Sequence, residues 1–147
     1  EDAEVVVSMG SMLLELGAED YAVNAVLQAI DIEAENAEAH YLLGVASGMR
    51  GRYEDAAEFF EHALELEPEH GGALRALAIV CMARGCNDKA LYSLRQAVAV
   101  RPEDKQLRAL CRWVRFICFA ERFSEFVGRF MPGKLRRLIN GAAVREE

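Results

Sequence analysis

Residues 37–68 read AEAHYLLGVASGMRGRYEDAAEFFEHALELEP, and this stretch decides the fold. Its pattern predicts one helix over residues 37–50, a tight turn at Gly51-Arg52, and a second helix over residues 53–66. Gly51 suits the turn because glycine tolerates the left-handed backbone just past a helix end. Pro68 has no amide hydrogen to continue the second helix and so closes the unit. Gly44 and Ala56 are small, which lets the two helices approach closely. Asn36 and the Asn87-Asp88 pair are the expected N-caps of later helices.

Working outward, the same pattern recurs on both sides at a period of 34 residues. Gly17, Gly51 and Gly85 share one register; Ala22, Ala56 and Ala90 share another, as do Ala29, Ala63 and Ala97. Met9, Leu43 and Leu77, then Gly10, Gly44 and Ala78, then Val26, Phe60 and Leu94 follow without an insertion. The units close at Ala34, Pro68 and Pro102. The expected organisation is three helix-turn-helix units, 3–36, 37–70 and 71–104, a capping helix with an aromatic extension over 105–131, and a basic tail or linker over 132–147.

On these residues the chain resembles the tetratricopeptide repeat family, most closely in the middle unit. The family's first-helix tryptophan is replaced by His40 there, and by Val6 and Leu74 in the other units. The resemblance implies an all-α, right-handed helical-repeat solenoid whose first helices line a concave face. It places Val7, Ser11, Leu14, Tyr41, Val45, Met49, Arg75, Ile79 and Met82 toward that groove. The set is mostly apolar, and its methionines suit an adaptable binding surface. Family members that hold the acidic tails of heat-shock chaperones use a clamp of lysines, arginines and asparagines. The equivalents here are Val7, Ser11, Leu42, Gly72 and Ala76, so that clamp is missing.

The capping helix departs from a plain repeat. Leu107, Leu110, Cys111, Val114 and Cys118 form one apolar stripe, fit to dock on the third unit. Trp113, Phe116, Phe123 and Phe130 belong to a second stripe facing another way. The favoured expectation is a bend near Ala120 that folds the aromatic stretch back as extra core. The alternative is an exposed patch for a homodimer or another partner; attachment to a membrane surface is the least favoured.

Composition narrows the function. With 52% apolar residues the chain has enough side chains for a packed core. Residues 1–104 carry 20 acidic against 7 basic side chains, which disfavours nucleic acid as a partner. Residues 105–147 reverse the balance, with 4 acidic and 10 basic. Glu54, Glu58, Glu61 and Glu65 make an acidic stripe, read as a solvated face. Cys81, Cys86, Cys111 and Cys118 show no zinc spacing and are expected as reduced, mostly buried thiols in a cytoplasmic protein. His40, His62 and His70 lie on separate elements; no metal, cofactor or catalytic residue is expected. The first residue is Glu1 rather than Met, so the native start is expected upstream.

The function these features favour is a non-catalytic protein–protein scaffold that takes a peptide or helix in an apolar groove. Three alternatives stand beside it: a secretion-type chaperone, the regulatory repeats of a larger enzyme such as a glycosyltransferase, and a self-assembling structural module.

Overall fold

The computed structural model describes residues 2–130, and among them it shows seven α-helices and no strand. They are α1 (Ala3–Glu15), α2 (Glu19–Ile32), α3 (Ala37–Met49), α4 (Tyr53–Leu66), α5 (Gly71–Ala83), α6 (Asn87–Val100) and α7 (Lys105–Phe130). Helices α1 to α6 form three antiparallel pairs, each turning at a glycine of positive φ; Gly51 has φ 72°. A side chain there would meet no neighbour, so the backbone conformation alone asks for glycine.

Pairing within a unit depends on close approach. A Cβ on Gly44 would sit 2.5 and 2.6 Å from two ring carbons of Phe60 on α4. Phe60 is buried, as are Ala56 and Ala63 beside it, so the ring fills the space that the missing side chain leaves. Leu94 holds the same place in the third pair and Val26 in the first. The buried side chains gather into two clusters, one around α1 to α3 and one from α4 through α7.

Successive units are also tied at their rims. Arg50 bonds Glu19 and Asp20, Arg84 bonds Glu54 at 3.1 Å, and Arg122 bonds Asp88 at 3.1 Å. In each case a cation of the following unit reaches the acidic first turn of the preceding second helix. These carboxylates also face the positive end of a helix dipole. Such exposed pairs hold register more than they add stability. The acidic stripe on α4 is partly neutralised in this way, with Lys89 of α6 at 3.7 Å from Glu61.

Two expected caps came out differently. Asn36 does cap α3, accepting from the Ala39 amide at 2.9 Å. Asn87 instead begins α6, which has no side-chain cap. Asp104 caps α7, taking the amides of Gln106 and Leu107.

The expected bend near Ala120 is absent. Helix α7 runs unbroken from Lys105 to Phe130, because no proline or glycine interrupts it before residue 128. Leu107, Val114 and Cys118 are buried on one side, while Trp113, Phe116 and Phe123 are exposed on the other. The aromatic stripe is therefore not extra core. The side chain of Phe130 and the expected tail 132–147 lie outside the described residues.

Candidate functional site

Neighbouring first helices touch, α3 meeting both α1 and α5, whereas second helices pack on first helices: α2 on α3, α4 on α5, α6 on α7. A stack whose first helices lie closer together curves toward them, so the first-helix side is the inner face.

On that face the nine sequence-derived positions divide. Met49, Arg75 and Ile79 are exposed; Ser11, Tyr41, Val45 and Met82 are half-buried. Val7 and Leu14 must be withdrawn from the groove. They are buried in the core cluster that also holds Leu42 and Ala46 of α3, because a short branched side chain at these positions does not reach past the neighbouring helix. The inner surface proper thus begins at the second unit.

Its centre is a polar and aromatic cluster that the sequence reading missed. The Tyr41 ring lies 5.0 Å from the His70 ring and 5.9 Å from that of Phe60. Gly72 leaves room for it, since a Cβ there would come 3.2 Å from the ring. Nδ1 of His70 accepts the Ala73 amide at 3.0 Å and caps α5. That assignment puts the proton on Nε2, which donates to Glu38 at 2.9 Å. The hydrogen bond to Glu38 raises the His70 pKa above its ordinary value, against the opposing pull of burial. Burial, then the charge of Glu38, raises that of Tyr41, while Arg75 pulls it down. The missed signal was His70 standing three residues before Ala73 at a helix start, since histidine is not a usual N-cap.

Helix α7 carries the same register: Val45, Ile79 and Trp113 stand 34 residues apart, as do Met82 and Phe116. Trp113 is 54% exposed and Phe116 67% exposed. Sequence reading had assigned these aromatics to extra core or, as the alternative, to a patch for self-association or another partner, and not to the groove.

Among the described residues no three His, Cys, Asp or Glu side chains converge where a metal could sit. His40 and His62 meet edge to face at 4.3 Å, and Nδ1 of His40 is buried without a hydrogen-bond partner. Burial raises the pKa of Cys81 and Cys118, leaving both as neutral thiols. No helix among the described residues is long and apolar enough to cross a membrane.

Helix pairs of one length, stacked at a fixed period with an apolar inner curve, define a helical-repeat solenoid. Residues 49–114 match the tetratricopeptide repeat family model, and the fold is that of a tetratricopeptide-type helical-repeat solenoid. Over 77 residues it is 31% identical to the photosystem I assembly protein Ycf3 of Prochlorococcus marinus (strain NATL1A). That match takes in 50% of this chain and 44% of the relative, so it spans less than half of the relative's length. Among solved structures, the first tetratricopeptide domain of Spaghetti (RPAP3), bound to the HSP90 peptide SRMEEVD, superposes with TM-score 0.74. Identity there is 14%, covering 80% of this chain and 93% of that one. The O-GlcNAc transferase of Thermobaculum terrenum gives TM-score 0.71 at 24% identity, covering 76% of this chain and 22% of that one. At these identities the structural likeness concerns the fold.

Proposed function

We propose that this chain is a non-catalytic scaffold that holds an apolar peptide or amphipathic helix along its inner curve. The contact runs from Tyr41 and Val45 across Ile79 and Met82 to Trp113 and Phe116. The observation that carries this reading is the unbroken line of apolar side chains at one unit position, Val45, Ile79 and Trp113, with two of the three exposed. An apolar strip left in water favours a ligand that covers it. Arg75 is the cation beside this line and gives the ligand one place for a carboxylate.

The tetratricopeptide domain seen with an HSP90 peptide supports peptide binding as the mode. It does not support the same ligand. The positions equivalent to a carboxylate clamp carry no charge, and two of them, Val7 and Leu42, are buried. A ligand rich in apolar side chains fits better than an acidic tail. The relative named as an assembly protein favours a second, narrower form of the reading, in which the ligand is a hydrophobic segment of a subunit awaiting assembly. A cytoplasmic location belongs to the same reading, supported by four cysteines in the free thiol form.

Peptide display against the intact chain tests the site. Selected sequences should be apolar, and Ile79→Glu/Met82→Glu should cost them at least about tenfold in affinity, because a carboxylate is expensive at an apolar contact. Ile79 is exposed and Met82 half-buried, so helical content should be unchanged by circular dichroism. Undiminished binding by the folded double variant would place the site elsewhere.

A further inference from the structure

Among the described residues, apolar helix faces lie bare at both ends of the repeat stack, and the two faces are opposite in charge. At the N-terminal end Val5, Met9 and Met12 are 66%, 48% and 64% exposed. The residues at the same positions of the next units, Ala39, Leu43 and Ala46, then Ala73, Leu77 and Val80, are all buried. They are covered because α2 packs on α3 and α4 on α5. The α1 stripe thus has the form of an inter-repeat contact surface that no described residue covers.

At the other end, α7 presents Arg112 at the position that Gly10, Gly44 and Ala78 hold in complete units, the side against which a unit's own second helix packs. Along the α6–α7 groove two cavities of about 590 and 430 Å3 meet at Arg115. Lys105, Arg108, Arg112 and Arg115 line it, and none of the four makes an ion pair among the described residues. Phe119 lines the same groove and stacks on Phe123 at 6.2 Å, both rings exposed. A cap built only for solubility would be polar and mixed in sign. This end is aromatic and cationic.

We propose that copies of this chain join head to tail, the α1 stripe of one copy lying against the exposed Arg112–Phe119–Phe123 side of α7 of the next. Charge complementarity selects this occupant. Glu4 and Glu15 flank the α1 stripe, and no lysine or arginine precedes Arg50 anywhere in the sequence. The stripe is therefore an apolar line in a purely acidic surround, and the α7 groove is its counterpart. Because the two surfaces differ, the association is heterologous and open-ended and does not close at two copies.

Sedimentation velocity on the intact chain tests this over a wide range of concentration. The wild type should grow beyond a dimer as concentration rises, and the growth should weaken with salt. Met9→Glu/Met12→Glu removes the α1 face, and Arg112→Glu/Phe119→Ser/Phe123→Ser removes the α7 face. Each variant alone should be monomeric with an unchanged circular dichroism spectrum, and an equimolar mixture should form dimers and stop there. Should either apolar variant fold poorly, Glu4→Arg/Glu15→Arg and Arg112→Glu/Arg115→Glu alter charge alone and should likewise associate only when mixed. A wild type that stays monomeric overturns the proposal and leaves these faces to upstream repeats, another protein or a lipid surface. So does an α1-face variant that still dimerises, which would mean a symmetric α7–α7 contact, and so does a mixture that stays monomeric.

Discussion

Gly44→Ala and Gly48→Ala add the same methyl group to α3 one turn apart, yet the structure assigns them opposite signs. At Gly44 the new Cβ lies 2.5 and 2.6 Å from two carbons of the Phe60 ring. Ordinary carbon–carbon contact is about 3.5–4.0 Å, so the overlap is about an ångström. The ring is 2% exposed and packed beside Tyr41, and it cannot swing clear without moving α4. Overpacking of this kind costs about 1–3 kcal/mol. Replacing glycine inside a helix returns up to about 1 kcal/mol, leaving Gly44→Ala destabilised by up to about 2 kcal/mol. At Gly48 the nearest atom to the new methyl is the Ala56 Cβ at 3.9 Å, an ordinary contact. There only the helix term remains, a gain of about 0.5–1 kcal/mol. The helix terms nearly cancel between the two variants, so their difference of about 1–3 kcal/mol isolates the packing of α3 on α4. Urea unfolding followed by circular dichroism reads it directly. Phe60→Leu should cost less in the Gly44→Ala background than in the wild type, since the smaller side chain relieves the overlap. If both alanine variants shift stability equally, the helix pairing described here is wrong.

The Glu38 carboxylate holds the His70 pKa up, so Glu38→Gln should bring it down toward the ordinary histidine value, measured by NMR titration of the ring protons. Cys86 is exposed while Cys81 and Cys118 are buried; a thiol reagent should label Cys86 at once and the other two only as fast as the protein opens. Phe116→Ser/Phe123→Ser should leave stability within about 0.5 kcal/mol of the wild type, since both rings are exposed. Val114→Ala, at a fully buried position of the same helix, should cost about 2 kcal/mol in the same thermal or urea melt.

The repeat was legible because each unit carries its instructions locally. A small residue against the second helix, as Gly44 against Phe60, the positive-φ glycine at each turn, and the closing proline of the second and third units act within a single helix pair, and a period of 34 residues repeats the pattern. What was misread depends on neighbours that a sequence does not display. Val7 and Leu14 look like groove residues by register, but at their length the adjoining helix covers them. The bend in α7 was inferred from the cost of exposing aromatics, whereas no residue before 128 breaks the helix, and the continuous backbone prevailed. The bond from His70, the cap of α5, to Glu38 on α3 joins residues 32 apart on different helices. The shared register of Val45, Ile79 and Trp113, on which the proposed contact line rests, was present in the sequence all along.

Trp113 is the single tryptophan of the chain and stands at the end of the proposed contact line, which makes its fluorescence the most direct test of the inner face as a binding site. A display-selected apolar peptide should be titrated into the protein at fixed protein concentration. As the half-exposed indole is covered, its emission should shift to the blue and saturate at the affinity measured by calorimetry. The Ile79→Glu/Met82→Glu variant should show neither the shift nor the heat. A peptide that binds by calorimetry while the emission of Trp113 stays unchanged, and that binds the double variant equally well, would contradict the assignment of the inner face.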